Sequence, residues 1–295
     1  MKTPEQLYIF GEVLFDCFPS GEQTLGGAPF NVAWHLQAFG DSPRLISRVG
    51  QDQRGEQILQ AMRSWGLTTA AVQVDAEHPT GRVEVTISDG EPAYDIVANS
   101  AFDFIAAEHR HDPSAAGILY HGTLCLRNAR SRDSLRDIVG TGQLKVFLDV
   151  NLRSPWWQPD EVRHWLQAAT WVKMNQQELA LLDGQTADIR QQMAALQTRY
   201  GLDQLIVTRG EQGALIRTAS GQFHSQVPEK SAPLVDSVGA GDAFSAVFIH
   251  GLRNGWSTAE TLLQAQRFAS KIIGVRGATT SDPAFYQQFM NSLES

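Results

Sequence analysis

The chain has little cysteine and no long apolar run. Cys17 and Cys125 are the two cysteines among its 295 residues, and no CxxC pair occurs. This usage excludes a disulfide framework and argues against a structural zinc site. No apolar segment approaches the ~20 residues that cross a bilayer, and residues 1–10 lack the apolar core and cleavage site of a signal peptide. We therefore expect a cytoplasmic protein with reduced thiols.

Positive charge is also scarce. Lysine and arginine number 24 against 32 aspartate and glutamate residues, which gives a net charge of −8. Proteins that bind nucleic acid or anionic membranes present a clustered basic surface, so we expect neither partner. The sequence contains no Gly-x-x-x-x-Gly-Lys-Ser/Thr segment and no protein-kinase loop set. Walker-type phosphate binding and the protein kinases are therefore excluded.

Strand-like and helix-like segments alternate along most of the chain. Such alternation is typical of a doubly wound α/β fold, in which helices flank a mostly parallel central sheet. We therefore predict this fold class, with residues 1–295 in one domain. Short apolar runs bounded by glycine or proline indicate strands at 7–18, 44–49, 118–126, 145–151, 171–174, 204–208 and 214–218. Apolar residues at three-to-four spacing indicate helices at 28–39, 53–65, 130–139, 160–169, 178–182, 188–200, 241–253 and 258–274.

Residues 71–98 interrupt this alternation. The segment has a turn at Asp89-Gly90 and no helical period. We predict a small inserted antiparallel sheet, which forms a lid together with about residues 12–24. Tyr94 and Phe104 are expected either to close over a bound substrate or to pack in the lid core. Because open sheet edges invite pairing with a second copy, we expect a homodimer through the lid. The three inserted strands are predicted at 71–74, 82–88 and 93–97.

The segment Asp236-Ser-Val-Gly-Ala-Gly-Asp242 precedes a long apolar helix. Gly239 and Gly241 permit unusual dihedral angles and close approach of a ligand to the backbone. The free N–H groups of a first helical turn bind phosphate, and a carboxylate placed there can take a proton from an attacking hydroxyl. The segment alone is equally consistent with a glycine-rich helix start that Asp242 merely caps.

A second glycine pair, Gly26-Gly27, opens a helix after a predicted strand. These glycines let a substrate approach the main chain, and Asn31 can present its amide to hydroxyl groups. Taken alone, the segment is more consistent with a tight turn that has Pro29 at the helix start. Asp16 is a charge among apolar neighbours. It is either exposed at the end of its strand or able to hold two hydroxyls of a sugar.

Together these segments resemble the ribokinase-like carbohydrate kinases, also called the phosphofructokinase-B family. Gly-Gly-x-x-x-Asn near the N-terminus and Asp-Ser-Val-Gly-Ala-Gly-Asp near the C-terminus match the two signatures of that family in order and separation. Five ordered motifs cover essentially the whole chain, and their joint match removes the alternatives that each leaves open alone. The three motifs between the signatures are Asp149-Val-Asn-Leu-Arg153, Lys173-Met-Asn175-Gln-Gln-Glu178 and Thr208-Arg-Gly210-Glu-Gln-Gly213.

The resemblance implies a role for each matching residue at the reacting end. Asp242 would be the base that deprotonates the acceptor hydroxyl. The backbone amides of Gly239, Ala240 and Gly241 would form an anion hole for the transferred phosphoryl group. Arg153 would lie near that group or near the acceptor sugar, where a guanidinium suits anionic oxygens. The residues that would hold the sugar are Asp16, Gly26, Gly27 and Asn31.

The same resemblance implies ATP as phosphoryl donor, with Mg²⁺ and in many members a K⁺-like ion. Asn175 and Glu178 would lie by the nucleotide phosphates, with Glu178 placing Mg²⁺ through water. The residues that would border the nucleotide pocket are Thr208, Gly210 and Gly213. The residues that would hold the monovalent cation are Asp236, Val238, Gly277 and Ser281.

The N-terminal signature reads Gly-Gly-Ala-Pro-Phe-Asn, which is similar to the fructokinase branch. Gly11-Glu12 with Asp16 and the segment Gly90-Glu91-Pro92-Ala93-Tyr94 share this similarity. The resemblance therefore implies transfer to a primary hydroxyl of fructose or a similar hexose. A nucleoside or 2-keto-3-deoxygluconate stays open as acceptor; the carboxylate of the latter needs a facing positive charge, some of which Arg153 can supply. A sugar-sensing relative that binds without transfer is also open, although the intact Asp242 argues against it.

Overall fold

We describe the chain from a computed structural model, in which residues 5–88, 91–107, 116–183, 188–228 and 235–293 are placed. Their centre is a nine-stranded sheet. Seven neighbouring strands pair in parallel, and the two strands beyond them at one edge are joined by antiparallel pairing. The parallel strands are runs of Val, Ile, Leu and Phe buried on both faces, as expected of a sheet covered by helices. The predicted α/β class is confirmed.

The strands divide between two sheets. They are β1 (Gln6–Phe10), β2 (Leu14–Cys17), β3 (Gln23–Gly26), β4 (Arg44–Gly50), β5 (Val72–Asp75), β6 (Gly81–Ser88), β7 (Glu91–Ile96), β8 (Gly117–His121), β9 (Leu144–Asp149), β10 (Trp171–Asn175), β11 (Gln204–Thr208), β12 (Ala214–Thr218) and β13 (Phe223–Gln226). The large sheet has the order β13-β12-β11-β10-β9-β8-β1-β4-β5, and the small sheet has the order β3-β2-β6-β7.

Helices cover the large sheet. Three short 3₁₀ helices, at Ala101–Phe104, Leu124–Arg127 and Gly210–Gln212, join longer elements. None of the described helices has the length and apolar composition that a membrane crossing requires. The α-helices are α1 (Ala28–Ala38), α2 (Gln53–Ser64), α3 (Ala129–Gly140), α4 (Pro159–Ala168), α5 (Gln176–Asp183), α6 (Ile189–Tyr200), α7 (Ala240–Arg253), α8 (Thr258–Ile272) and α9 (Pro283–Leu293).

The first predicted strand, 7–18, is wrong as a single element. Its first half is β1 of the large sheet and its second half is β2 of the small sheet. The chain crosses between them at Gly11, whose φ is +150°. A Cβ at this position would collide with the ring of Pro29, so the crossing requires glycine. Apolar residues continue through the crossing because both strands are buried, which is why the pattern shows no break.

The position predicted for the strand at 71–74 is also wrong. β5 pairs in parallel with β4 at the edge of the large sheet. The small sheet is not wholly antiparallel either, because β2 and β6 run parallel. The predicted turn at Asp89-Gly90 lies outside the described residues. Two strands and one α-helix were not predicted from the sequence: the four-residue strands β3 and β13, which are too short and polar for a visible period, and α9. The three 3₁₀ helices were not predicted either.

Specific contacts hold the connections on either side of the β6–β7 pair. Asp52, the N-cap of α2, accepts hydrogen bonds from the N–H (2.8 Å) and the hydroxyl (2.7 Å) of Thr80, which precedes β6. After β7, the buried Arg127 pairs with Asp103 at 2.7 Å and donates to the Val97 carbonyl at 2.6 Å. The Arg127 guanidinium also lies 4.5 Å from the ring centre of Trp156. The small sheet is thereby fixed beside the carboxyl ends of the large-sheet strands.

Candidate active site

A cavity of about 870 Å³ lies where the carboxyl ends of the central strands face the small sheet. Open α/β folds place their ligands at this edge of the sheet. The starts of α1 and α7 meet in the same cavity. The residues predicted from the sequence that line it are Asp16, Gly26, Gly27, Asn31, Tyr94, Arg153, Asp236, Val238, Gly239, Gly241, Asp242 and Gly277.

Asp242 lies on the first turn of α7, which begins after Gly239. The side-chain amide of Asn31, 211 positions earlier, donates a hydrogen bond to its Oδ2 at 2.8 Å. Burial of the carboxyl raises the pKa of Asp242 to about 6, while the hydrogen bond from Asn31 opposes that rise. Asp242 is therefore ionised at neutral pH but basic enough to accept a proton in this cavity.

The two glycines before Asp242 allow close packing at the start of α7. Gly239 has φ +80°, and a Cβ on it would collide with Ala278. A Cβ on Gly241 would lie 3.4 Å from Lys173 Nζ. Unpaired N–H groups at the start of α7 and the lysine ammonium together favour negative charge at this spot. Ala240, predicted as part of the anion hole, begins the helix and is not among the residues that line the cavity.

A buried charged cluster supports this end of the cavity. Lys173 Nζ donates to Asp149 Oδ2 at 2.7 Å, and the same oxygen accepts from Ser245 Oγ at 2.9 Å and from Tyr120 OH at 3.3 Å. Lys173 and Asp149 are 7% and 3% exposed at their side chains. Sequence reasoning placed both in motifs but gave neither a role. The sequence did contain a signal, because each is a charged residue within a mostly apolar strand.

The other end of the cavity carries the polar groups expected to hold a sugar. Asp16 lies on β2, where burial raises the pKa of its carboxyl and nearby Arg153 lowers it. A Cβ on Gly26 would lie 3.5 Å from Asp16 Oδ2. At Gly27, a Cβ would lie 2.8 Å from the Glu12 carbonyl oxygen. The glycine pair thus lets the start of α1 pack against the strand that carries the acidic residues.

Two aromatic predictions have different outcomes. Tyr94 lines the cavity from β7 and is 59% exposed, so a substrate can contact it. Phe104 does not line this cavity. Its ring stacks on His78 with 3.7 Å between ring centres. The sequence could not separate these two aromatics, because Tyr94 lies in the last strand of the inserted segment and Phe104 follows soon after it.

Asn175 and Glu178 lie next to the cavity and do not line it. Glu178 Oε1 accepts the Leu152 N–H at 2.7 Å, and its Oε2 accepts the Asn175 N–H at 2.8 Å. The Asn175 side chain in turn accepts the Glu178 N–H at 2.9 Å. Burial raises the pKa of Glu178, and these backbone amides oppose the rise. The reciprocal bonds fix the loop after β9, which carries Arg153 on the cavity wall.

The remaining predicted nucleotide residues follow β11. Thr208 ends that strand, and Gly210 begins a 3₁₀ helix. Gly213 has φ +79°, and a Cβ on it would collide with the Gln226 carbonyl. None of the three lines the cavity described above.

Asp236 links the loop before α7 to the loop after α8. Its Oδ1 accepts the Val238 N–H at 3.0 Å, and its Oδ2 accepts the Gly277 N–H at 3.1 Å. All three residues line the cavity, whereas Ser281 does not. Both Asp236 oxygens keep free lone pairs, so the carboxylate has the chemistry of a cation ligand.

The fold and this cavity define a small-molecule kinase, in which a buried carboxylate faces an anion cradle at a helix start. The chain belongs to the pfkB family of carbohydrate kinases, whose family model matches residues 11–284. The predicted family and enzyme class are therefore confirmed.

Individual relatives point to more than one acceptor. The chain is 30% identical to a fructokinase of Klebsiella pneumoniae over 94% of this chain and 96% of that protein. It is 26% identical to an aminoimidazole riboside kinase of Salmonella typhimurium over 100% of this chain and 97% of that protein. The fold matches a fructokinase double mutant of Vibrio cholerae O395, solved with fructose, ADP and potassium, at a TM-score of 0.82 and 22% identity over 97% of this chain and 99% of that chain.

Proposed function

We propose that this protein is a fructokinase, which transfers the γ-phosphoryl group of ATP to a primary hydroxyl of fructose or a similar neutral hexose. The observation that carries the proposal is Asp242, held by Asn31 between the glycine-rich start of α7 and the polar sugar end of the cavity. The fructokinase-type signature at the start of α1 and the fructokinase relatives support the choice of acceptor.

The proposed reaction follows from the two ends of the cavity. Asp242 takes the proton of the acceptor hydroxyl as that oxygen bonds to the γ-phosphorus, and the bond from phosphorus to the bridging oxygen of ADP breaks. The N–H groups at the start of α7, the Lys173 ammonium and the Arg153 guanidinium stabilise charge on the transferred group. Asn31 keeps the carboxylate of Asp242 oriented towards the hydroxyl.

Mg²⁺ would neutralise charge on the donor phosphates in this reaction. Glu178 is the proposed protein group for it, acting through water, because both its oxygens already accept backbone amides and the residue lies beside the cavity wall. For a potassium-like ion, Asp236 and the carbonyl of Val238 are the proposed ligands, with Gly277 nearby. Ser281 is the weakest part of this set because it lies outside the cavity wall.

We propose further that the small sheet acts as a lid and as the contact of a homodimer. Tyr94 is 59% exposed and Phe18 is 36% exposed on this sheet, and β3 and β7 are its two edge strands. Light scattering at assay concentration should give a mass of about twice 32.5 kDa. A mass of one chain that persists as concentration rises would contradict the dimer and leave the kinase proposal untouched.

The acceptor itself is tested by ADP release with Mg²⁺ and ATP. The panel is fructose, ribose, 2-keto-3-deoxygluconate, aminoimidazole riboside and several nucleosides. We expect kcat/KM for fructose to exceed that for every other acceptor by at least tenfold, because Asp16 and Asn31 supply acceptors for neutral hydroxyls. Equal turnover of ribose and fructose would contradict the fructokinase proposal. Sugar binding in a thermal-shift assay without turnover of any acceptor would favour a sensor.

A further inference from the structure

Glu12 is a buried acid in the cavity wall that the proposed reaction does not use. It follows β1, is 3% exposed, and lines the same cavity as Asp242. Its Oε2 is shielded from solvent and has no hydrogen-bond partner within the described part of the chain. A buried carboxylate oxygen without a partner is energetically costly. Such an oxygen at a cavity wall calls for a donor from whatever enters the cavity.

Asn31, next to Asp242, also has a buried oxygen without a partner in the described part of the chain. Its Nδ2 donates to Asp242, while its Oδ1 is buried and lacks a partner among the described residues. The glycine at position 27 allows the two elements to approach, because any Cβ there would press on the Glu12 carbonyl. Two residues of the cavity wall, both near the catalytic carboxylate, thus carry a buried acceptor that lacks a partner among the described residues. A neutral polyol, with several adjacent hydroxyl donors, satisfies such a pair; a planar apolar ligand does not.

Charge adds a second constraint. Burial, the largest cause, raises the pKa of the Glu12 carboxyl to about 7; nearby Arg153 opposes the rise and Asp242 adds to it. Arg127, which also opposes it, is paired with Asp103. Asp242 and the ionised fraction of Glu12 thus place negative charge beside the space into which the acceptor fits. An acceptor with its own carboxylate near Glu12 would meet like charge in a shielded site, which is strongly unfavourable.

We propose that Glu12 is a specificity-determining residue, whose Oε2 accepts a hydrogen bond from a hydroxyl of the acceptor sugar and whose charge disfavours acceptors that carry a carboxylate. This inference rests on the proposed function, because it takes a neutral sugar as the acceptor. It assigns Glu12 a role in acceptor recognition and leaves proton transfer to Asp242.

The test combines Glu12→Gln with fructose analogues that each lack one hydroxyl other than the phosphorylated one. Glutamine keeps the size of the side chain but removes the charged acceptor. We expect kcat/KM for fructose to fall roughly 10- to 100-fold, the effect of one hydrogen bond to a charged group. One deoxy analogue should lose little further in the variant, because the partner hydroxyl is already missing. The ratio of kcat/KM for 2-keto-3-deoxygluconate to that for fructose should rise at least tenfold.

Glu56→Gln, an exposed change on α2, is the matched control and should leave all these values unchanged. Equal losses for every analogue would mean a structural role and overturn the inference, as would unchanged fructose kinetics in Glu12→Gln. If Glu12→Gln does not fold, Glu12→Asp keeps the charge but withdraws the carboxylate by one methylene. In that variant, too, one deoxy analogue and no other should lose little further kcat/KM.

The inference and the proposed function fail in different ways. An active fructokinase that does not respond to Glu12→Gln overturns only the role of Glu12. A wild-type preference for 2-keto-3-deoxygluconate overturns both, because Glu12 would then border a favoured carboxylate. A preference for a riboside overturns the choice of fructose, and deoxy analogues of that riboside must show the same non-additivity for Glu12 to stand.

Discussion

Asp242→Asn should lower kcat by about 10²- to 10⁴-fold, the usual contribution of a positioned general base. The amide has the size of the carboxyl, and its oxygen can still accept the hydrogen bond from Asn31. Nucleotide and sugar affinities should therefore change little, so the loss falls on kcat rather than on KM. Steady-state ADP release with fructose measures both constants. Asp137→Asn, an exposed change on α3, is the matched control. An unaltered kcat in Asp242→Asn would refute the mechanism for any acceptor.

The pH dependence provides a second readout for the same variant. Because burial raises the pKa of Asp242 to about 6, wild-type kcat/KM should rise with pH through that region. Glu12, with a pKa of about 7, titrates in the same cavity, so the acid limb belongs to both carboxyls. Comparing wild type with Glu12→Gln separates the two. The rise of kcat/KM with pH that remains in Glu12→Gln should belong to Asp242. It should therefore be absent from the residual activity of Asp242→Asn.

Stability should respond to the same titration with a defined sign. The folded pKa of Asp242 lies above its ordinary value of 3.8, so the folded state binds this proton more tightly than the unfolded state. Its stabilising contribution is present at low pH and is lost as pH rises through about 6. Asp242→Asn should therefore be more stable than wild type at pH 8, by a wider margin than at pH 5. Urea unfolding at the two pH values measures this difference.

The sequence predicted most of the elements because helices and buried strands have strong local patterns. The α/β class, and the positions of α2, β4 and β11 within a residue or two, followed from apolar spacing alone. Pairing partners are different, because they depend on residues far away in the chain. β5 has the same local pattern as a strand of the inserted sheet, and only its parallel pairing with β4 places it elsewhere.

The site shows the same division. The glycine motifs predicted the positions at which α1 and α7 begin. The structure brings Asp242 and Asn31, which are 211 positions apart, into contact. Gly11-Glu12 contributed to the fructokinase-type resemblance, but no role for Glu12 followed from it, because an acid after a strand is usually exposed. For Phe104 the sequence left substrate contact and packing equally open, and the structure shows its ring packed on His78. Burial and partners, which decide these roles, are not local properties of a sequence.

Lys173→Met should lower the free energy of unfolding by about 3–5 kcal/mol, the cost of leaving a buried charge without its partner. Asp149 would keep its bonds from Ser245 and Tyr120 but lose the ammonium 2.7 Å from its Oδ2. Chemical denaturation measures the change. Lys145→Met, an exposed change on β9, is the control and should cost no more than about 0.5 kcal/mol.

The double variant Lys173→Met with Asp149→Asn separates the structural role of this pair from its catalytic one. The asparagine amide removes the buried charge, so the free energy of unfolding should recover most of its loss. Catalysis should not recover, because the ammonium beside the Gly241 backbone is still missing and charge on the transferred phosphoryl group is less stabilised. A double variant that regains both stability and kcat would show that Lys173 serves the fold alone. One that regains neither would show that the neutral pair cannot replace the ionic one.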